Sequence, residues 1–162
     1  MPNVFEPELD DAGSLPEPFR ARGAEIGKQA GSRELGASLY ELPRGQAICP
    51  LHAHHGNEEM LIVLAGRPTL RTLEGARELA PGDVVSFPAG HAGAHRVDNH
   101  RDEPARVLMV STMRALDVIE YPDSGKVQVR THARNPDGTW PDGAVRMIVR
   151  AGESLGYFDG EV

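Results

Sequence analysis

Short runs of apolar and polar residues alternate along this chain and are separated by glycine and proline. The runs at 36–42, 84–87 and 105–111 have the length and the residue types that are typical of β-strands. Turn residues, such as those at 81–83, follow these runs and allow the chain to reverse. Between residues 24 and 112, no segment combines helical periodicity with helix caps. The pattern therefore predicts an all-β sandwich or barrel.

The pattern changes towards both ends of the chain. Residues 1–20 carry four prolines among acidic residues, which prevents a helix and favours an extended arm. This arm is either a poorly ordered tail or a segment that lies across a neighbouring subunit. Residues 45–112 hold the barrel core and residues 113–162 add strands and a tail, so we expect a single domain over residues 1–162. The apolar residues that would anchor the arm are Val4, Phe5, Leu15 and Phe19.

Composition and charge argue against several kinds of binding partner and several cellular locations. Over its 162 residues the chain carries a net charge of -7, which argues against a nucleic-acid groove or an anionic membrane as its partner. No apolar run reaches the roughly 18 residues that a membrane helix needs, and the N-terminus lacks the basic start and apolar core of a signal peptide. Cys49 is the only cysteine, which excludes an intrachain disulfide. These features indicate a cytoplasmic protein.

Two histidines and a glutamate in the first half of the chain form a candidate metal site. His52 and His54 point to the same face of an extended strand, because side chains alternate along a strand. Gly56-Asn57 is a turn sequence that could place a second strand, opened by Glu59, beside the first. Imidazole is the commonest protein ligand for transition metals. This stretch alone therefore predicts half of a metal site, with a carboxylate that can face it.

Two motifs in this region resemble those of the cupin superfamily. The first combines a glycine, a His-x-His pair, a glutamate and a glycine; the second combines a glycine, a Pro-x-Gly, a histidine and an asparagine. The spacings from His54 to Glu59 and from His95 to Asn99 agree with the family pattern. Two motifs in the right order make the resemblance specific. The matching residues are Gly45, His52, His54, Glu59 and Gly66 in the first motif, and Gly82, Pro88, Gly90, His95 and Asn99 in the second.

The chain departs from the family pattern at two spacings. Gly45 and His52 are one residue further apart than is usual, which a β-bulge would absorb. Gly90 and His95 are two residues further apart, and His91 lies close to where a shorter loop would place the histidine. Either histidine can therefore be the last ligand. We favour His95, because it keeps its spacing to the motif asparagine and begins an apolar strand.

The resemblance implies a double-stranded β-helix (a jelly-roll barrel) that holds a metal ion through His52, His54, Glu59 and His95. Three imidazoles and one carboxylate suit Fe(II), Mn(II), Ni(II), Co(II) or Zn(II). Four protein ligands leave open positions on an octahedral metal for a water or a substrate. His91 is either a candidate general acid or base near the mouth of the barrel or an exposed loop histidine.

Side-chain alternation assigns the immediate neighbours of these residues to other faces. His55 and Glu58 have the wrong parity to face the metal. His55 is expected in solvent, and Glu58 is expected either on the surface or in contact with a metal ligand. Cys49 has the opposite parity to the two motif histidines and is expected to face away from the metal as a buried thiol. Tyr40 and Arg71 are residues that could face the barrel interior and contact a substrate.

Three further stretches resemble a small bacterial group of single-domain cupins. Members of this group are labelled, by analogy of fold, as sugar-phosphate isomerases or as oxalate-decarboxylase-like proteins, which is a weak basis for function. A homodimer is the expected assembly, from the prevalence of twofold oligomers and the habit of the family. The stretches are Glu58-Glu59-Met60, Ser111-Thr112-Met113 and Tyr121-Pro122-Asp123-Ser124-Gly125-Lys126.

Two classes of function are open from the sequence. A metalloenzyme, such as an isomerase or a decarboxylase, would use the metal as a Lewis acid on a small polar metabolite, and a dioxygenase would use Fe or Ni with O₂. A non-enzymatic module would instead bind a small molecule or a metal for sensing or storage. The cations that could bind a substrate phosphate are Arg67, Arg71 and Arg96.

Overall fold

The computed structural model describes residues 1–11, 13–132, 135, 139–152 and 155–161, which consist mainly of strands and turns. In this part of the chain the helical elements are α1 (Ile26–Gln29) and a 3₁₀ turn at His91–Gly93, and no helix has the length or apolar character to span a membrane. The predicted all-β class is confirmed. The strands are β1 (Arg22–Ala24), β2 (Leu35–Leu42), β3 (Ala53–His54), β4 (Glu59–Ala65), β5 (Thr69–Thr72), β6 (Gly75–Glu78), β7 (Val84–Phe87), β8 (His95–Asp98), β9 (Ala105–Thr112), β10 (Asp117–Tyr121), β11 (Lys126–Arg130) and β12 (Arg146–Arg150).

The strands form three antiparallel sheets around one interior. A five-stranded sheet has the order β1-β2-β9-β4-β7, a four-stranded sheet the order β12-β11-β10-β3, and a three-stranded sheet the order β6-β5-β8. A backbone bridge between His52 and His95 joins the four-stranded sheet to the three-stranded sheet. Short strands from distant parts of the chain thus lie side by side, as the predicted double-stranded β-helix requires.

The main core lies inside the barrel and follows the two-residue period of the strands. On β4, Leu61 and Val63 are buried, whereas the intervening side chains are more exposed. Val107 and Met109 alternate in the same way on β9. Full burial of one such side chain stabilises the folded state by about 1.5–3 kcal/mol, so a slip of one residue in register is strongly disfavoured. The core cluster comprises Leu42, Leu61, Val63, Leu70, Leu79, Phe87, Val97, Val107 and Met109.

The motif glycine Gly66 lies where the end of β4 passes close to the start of β9. A β-bulge between Val63 and Ala65 shifts the register of the two strands just before it. Gly66 has a φ of 74°, and a Cβ atom at this position would lie 2.6 Å from the carbonyl oxygen of Pro104. Both the backbone conformation and the close approach therefore require glycine.

The predicted hairpin around Gly56-Asn57 is wrong. β3 pairs with β10, whereas β4 pairs with β7 and β9, so the two strands belong to different sheets. The long apolar run of β4 needs a neighbour on each side to bury it in the middle of a sheet. The turn carries the chain from one sheet to another, and Glu59 still faces the two histidines.

The N-terminal arm contains bends and turns and packs on its own barrel. Val4 and Leu9 contact the small cluster around Ile26, and Asp10 pairs with Gly23 of β1. The arm continues to Phe19, whose ring lies 5.5 Å from the guanidinium carbon of Arg96. Two of the anchors proposed for a neighbouring subunit, Val4 and Phe19, are therefore used within the chain. The other two, Phe5 and Leu15, are exposed.

Candidate metal centre

Strands from all three sheets bring three histidines and one glutamate together inside the barrel. His54 ends β3, and His52 directly precedes β3 and pairs with the backbone of His95, the first residue of β8. Glu59 is the first residue of β4. The side chain of His95 is 2% exposed and that of Glu59 is 14% exposed, so the group lies largely out of water. The structure brings together all four residues that the two motifs singled out.

The three imidazole Nε2 atoms converge on one carboxylate oxygen, Oε2 of Glu59. This oxygen lies 3.4 Å from Nε2 of His95, 3.6 Å from Nε2 of His54 and 3.9 Å from Nε2 of His52. It is buried and has no hydrogen-bond partner among the described residues. A buried carboxylate oxygen without a partner is costly. A cation bound between these four atoms would satisfy it.

Each imidazole is oriented by a contact at its other nitrogen, Nδ1. A carbonyl oxygen can only accept a hydrogen bond, so a ring that contacts one carries its proton on Nδ1 and leaves the Nε2 lone pair free. This arrangement is typical of metal-ligating histidines. Nδ1 lies 3.1 Å from the carbonyl oxygen of Pro50 in His52, 2.9 Å from that of Gly93 in His95, and 2.6 Å from Oδ2 of Asp117 in His54.

Asp117, which sequence reasoning missed, is the fully buried partner of His54. Its Oδ1 accepts from the backbone N–H of Gly56 at 2.9 Å, and its Oδ2 accepts from His54 at 2.6 Å, Asn57 at 2.8 Å and Arg130 at 2.9 Å. Only an ionised carboxylate offers acceptors to this many donors. The one local signal that could have found Asp117 is an acidic residue directly before the apolar pair Val118-Ile119.

A cavity of about 230 Å³ opens beside the converging nitrogens. None of the described residues that line it is a lysine or an arginine. The cavity thus combines the polar atoms of the four candidate ligands with a wall that is otherwise neutral and largely apolar. This wall consists of Tyr40, Ile48, Cys49, Val97 and Met109.

The donor set fits a divalent transition metal. The ligand atoms of His52, His54 and Glu59 all lie within 4.8 Å of one another, and Nε2 of His95 is directed at the same carboxylate oxygen. Three neutral nitrogens and one hard oxygen suit the later first-row divalent ions. The unpaired oxygen and the three free lone pairs are the features that a bound metal would satisfy.

The segment that carries the four candidate ligands matches a known protein-family model. Residues 38–111 match the model described as a cupin domain, and this range contains β3 through β8 with all four candidate ligands. The chain thus contains a cupin domain. Asp117 and Arg130 lie outside the matched segment. A search of curated proteins found no match to this cupin.

Solved structures share the fold of this cupin over most of its length. A candidate sugar phosphate isomerase from Acidithiobacillus ferrooxidans is 26% identical, with a TM-score of 0.72 over 88% of this chain and 85% of that one. A cupin from Silicibacter pomeroyi described as a sugar phosphate isomerase is 22% identical, with a TM-score of 0.75 over 97% of both chains. A predicted oxalate decarboxylase from Thermotoga maritima is 19% identical, with a TM-score of 0.59 over 70% of this chain and 98% of that one.

Burial determines the protonation states at the centre of this cupin. Desolvation lowers the pKa of His52 to about 3 and that of His95 to about 4, so both rings are neutral at pH 7. Burial raises the pKa of Glu59, which a bound cation would oppose. Burial also acts to raise the pKa of Asp117, but the hydrogen bond from His54 and its other donors lower it to about 2. The imidazoles of His52 and His95 are therefore in the neutral form that ligates a metal.

Cys49 lines the cavity, so its orientation predicted from strand parity is wrong. Residues 48–51 form a bend rather than a strand, and side-chain alternation does not hold there. The Cys49 sulfur lies 3.4 Å from Nδ1 of His52, the nitrogen that faces away from the candidate metal position. Burial raises the pKa of the thiol to about 12. Cys49 is thus a protonated part of the wall and lies beside a ligand.

His91 lies on the outer surface of the barrel, and His95 lies inside it. The Nδ1 atom of His91 is 3.0 Å from both carboxylate oxygens of Glu120, and Nε2 of His55 is 3.2 Å from one of them. His91 begins the 3₁₀ turn that leads into β8, and it does not line the cavity. His55 and Glu58 are exposed, and the surface is one of the two positions expected for Glu58. Of the two histidines, His95 is the one beside the glutamate of the first motif.

Tyr40 lines the cavity, as the sequence suggested, but Arg71 does not. The three arginines that could have formed a phosphate site each pair with a carboxylate on the surface or near it. The predicted cluster is therefore not assembled. The pairs are Arg67 with Glu78 at 3.4 Å, Arg71 with Asp123 at 2.6 Å, and Arg96 with Asp98 at 2.6 Å.

Proposed function

We propose that this cupin is a metalloenzyme that binds one divalent transition metal ion through His52, His54, Glu59 and His95. The observation that carries the proposal is the convergence of three imidazole Nε2 atoms on the unpaired Oε2 of Glu59. The contact at each Nδ1 supports it, because that contact orients the rings before any metal binds. His91 is not a ligand in this proposal.

The cavity supports a small substrate with neighbouring oxygen atoms, such as a hydroxy-carbonyl compound or a carboxylate. The metal would supply Lewis acidity to those oxygens. The described part of the wall offers no cation to a phosphate, so the phosphate of a sugar phosphate would extend out of the cavity. The 26% identity to the candidate isomerase from Acidithiobacillus ferrooxidans makes isomerisation the reaction to test first.

Tyr40 is the residue of the wall that is best suited to contact such a substrate. Burial raises the pKa of its phenol, so the hydroxyl group stays protonated and can donate a hydrogen bond to a substrate oxygen. The thiol of Cys49 stays protonated for the same reason. Both side chains bind and orient a substrate in this proposal, and neither acts as a base at neutral pH.

A non-enzymatic binding module is the second candidate. It is favoured by one observation: apart from the four candidate ligands, the ionisable groups of the described wall are Tyr40 and Cys49, and both have raised pKa values. An isomerase needs a base next to the carbonyl group. A module that only binds a metabolite has no such requirement.

Metal analysis of His54→Ala beside His91→Ala tests the proposed site. We expect the parent and His91→Ala to hold about one metal ion per chain, and His54→Ala to lose most of it. Metal that is 100-fold above its dissociation constant stabilises the folded state by about 2.7 kcal/mol, and this stabilisation should disappear in His54→Ala. Elemental analysis and thermal unfolding with added metal are the measurements. Equal metal content in His54→Ala and the parent would refute the site.

A turnover screen on the metal-loaded protein separates the two functions. Sugars with and without phosphate, hydroxy acids and diphenols cover the substrate classes, and O₂ uptake reports a dioxygenase. Isomerisation that is lost in His54→Ala and kept in His91→Ala supports the enzyme. Ligand-induced stabilisation of the metal-loaded protein without turnover would favour the binding module.

A further inference from the structure

The face of the four-stranded sheet that carries two of the candidate ligands continues from β3 to the outer strands. His54 of β3 lies opposite Ile119 of β10, and opposite residues of an antiparallel pair share a face. Tyr121 lies two positions further along β10 on this face, and its ring stacks on that of His52 with 6.3 Å between the centroids. Lys126 of β11 lies directly opposite Tyr121. The outer strands β11 and β12 therefore extend the face that holds the candidate metal centre.

Four cations form the corners of a rectangle on this extended face. Along β11 two cations alternate with two valines that point to the other face, and β12 places an arginine opposite each cation. Gln128 and Ile148 lie opposite each other in the middle of the rectangle. Each corner is two residues, or roughly 7 Å, along a strand from the middle, which is within the reach of a lysine or arginine side chain. We call this surface the cationic face, and its corners are Lys126, Arg130, Arg146 and Arg150.

The charge of the cationic face is largely unneutralised. Its two strands carry four cations and no carboxylate, in a chain whose net charge is -7. Arg130 pairs with Asp117 at 2.9 Å, and among the described residues no carboxylate pairs with the other three cations. A surface that serves only solubility carries both signs of charge, so a patch of one sign indicates an anionic ligand. The three other cations contact neutral groups: Lys126 lies over the ring of Tyr121, Arg146 lies over the ring of Trp140, and Arg150 donates to the carbonyl oxygen of Ser124.

The cationic face suits a phosphate at the far end of a small substrate. Neighbouring strands lie about 4.8 Å apart, so β11 is roughly 10 Å from β3 across the sheet, which is the length scale of a small phosphorylated sugar. A phosphate monoester carries about 1.5 to 2 negative charges at pH 7, and arginine binds its oxygens in pairs. In the middle of the face the hydroxyl group of Tyr121 donates to Oε1 of Gln128 at 3.1 Å, which leaves the amide nitrogen of Gln128 as a donor to such a ligand. β12 is exposed and β11 is partly exposed, so the ligand can enter from solvent.

We propose that the cationic face binds the phosphate group of a small phosphorylated substrate at Gln128, while oxygen atoms at the other end of the substrate reach the metal. The phosphate site stands on the charge pattern of the sheet, and its connection to the metal rests on the proposed function. None of the described residues that line the cavity is a cation, so the cationic face supplies the charge that the cavity lacks. The substrate class is therefore a phosphate monoester with a hydroxy-carbonyl group, held at both ends.

Titration calorimetry with inorganic phosphate at low ionic strength tests the site in the metal-free full chain. Gln128→Glu keeps the shape of the side chain and an acceptor for Tyr121, but it places a carboxylate where the phosphate binds. Arg146→Gln with Arg150→Gln removes two exposed corners and leaves the two corners on β11 intact. We expect the dissociation constant of phosphate to rise at least about tenfold in each variant, because charge-assisted hydrogen bonds to the ligand are lost.

Two control variants separate the phosphate site from overall charge and from the metal centre. Arg33→Gln with Arg77→Gln removes two exposed cations elsewhere and should bind phosphate like the parent. His54→Ala should also bind phosphate like the parent, so a failure of the metal site leaves this result standing. In the metal-loaded parent, ribose phosphate should bind at least about tenfold more tightly than ribose, and Gln128→Glu should remove this preference.

The possible negative results point to different errors. A parent that holds its metal but binds no inorganic phosphate would overturn the phosphate site alone. Equal losses in Gln128→Glu and in the Arg33→Gln with Arg77→Gln control would also overturn it, as would binding of heparin, a long polyanion, without binding of inorganic phosphate. Phosphate binding without a preference for ribose phosphate over ribose would overturn the connection to the metal.

Discussion

At the candidate metal centre, one hydrogen-bond partner beside each imidazole holds the ring proton on Nδ1. The Nε2 atom is then free to bind a metal. Carbonyl oxygens hold the Nδ1–H of His52 and His95, and the carboxylate of Asp117 holds that of His54. The His54 contact differs from the others, because a carboxylate adds charge as well as direction. Asp117 therefore fixes the orientation and the tautomer of its imidazole, as outer partners of metal ligands generally do.

Asp117→Asn should weaken metal binding while it preserves the shape of the side chain. The new amide can donate to Nδ1 of His54, which moves the ring proton to Nε2 and removes the lone pair that ligates. Loss of such an outer contact typically lowers metal affinity by about 10- to 100-fold. Titration of metal-free protein measures the affinity, and the absorption spectrum of bound Co(II) reports the ligand set.

Asp123→Asn is the matched control, because Asp123 is an exposed carboxylate that pairs with Arg71 away from the cavity. It should leave both measurements unchanged. A merely structural role for Asp117 predicts a different outcome: lower thermal stability with the affinity and the Co(II) spectrum of the parent.

Among the elements, the 3₁₀ turn at His91–Gly93 places the last ligand. The turn packs so closely on the preceding loop that a Cβ atom on Gly93 would lie 2.0 Å from the carbonyl oxygen of Pro88. The carbonyl oxygen of Gly93 also accepts from Nδ1 of His95. The additional residues in this loop, compared with the family spacing, are accommodated by the turn, which keeps His91 outside and His95 inside.

Gly93→Ala should therefore destabilise the protein and disturb His95 at the same time. Overpacking of this kind costs about 1–3 kcal/mol, because the turn must move away from Pro88. Urea unfolding of the metal-free protein measures the loss of stability, and metal titration measures the effect on the ligand. Gly152→Ala is the control, because a Cβ atom there enters open space. Parent-like stability in Gly93→Ala would show that the turn adapts freely.

Strands were predicted correctly where a run of β-branched and apolar residues was long enough. The facing of side chains was predicted wrongly where the chain bends. The segments at 84–87 and 105–111 were identified almost to their observed ends, since their residue types favour a strand in any context. The bend at 48–51 has no regular backbone, so parity assigned Cys49 to the wrong face. The sheet to which a strand belongs also has no local signal, which is why β3 and β4 were wrongly expected to pair.

Over the whole molecule, the candidate ligands connect all three sheets. Glu59 lies on the five-stranded sheet, His54 on the four-stranded sheet and His95 on the three-stranded sheet. A metal bound by them would cross-link the barrel, and its absence leaves the neutral imidazoles of His52 and His95 and an unpaired carboxylate oxygen in the interior. The stability of the metal-free protein should therefore depend on pH.

The free energy of unfolding of the metal-free protein should fall as the pH falls from about 6.5 to about 4. Burial lowers the pKa of His52 from 6.5 to about 3 and that of His95 from 6.5 to about 4. In this window the unfolded chain binds protons at both imidazoles and the folded chain does not, so acid favours unfolding. The raised pKa of Glu59 has the opposite effect, because the folded chain then binds a proton more readily than the unfolded chain. The two histidines should outweigh this single carboxylate.

Urea unfolding near neutral pH and at about pH 5 measures this dependence. A chain with His52→Gln and His95→Gln should lose most of the slope, because the two buried titrating rings are absent. A metal-free parent with the same stability at both pH values would show that the rings are not held neutral inside the barrel.

Local sequence was sufficient for the all-β class and for the shared face of His52 and His54, whereas the complete set with Glu59 and His95 followed from the resemblance to the cupin motifs. Alternation along a strand and the spacing within each motif are short-range properties, and they specify which side chains share a face. The pairing of strands, the bend at Cys49, the neutral wall of the cavity and the partnership of Asp117 with His54 depend on contacts between segments far apart in the chain. Such contacts follow from the burial of the whole core, so they could be read only from the folded molecule.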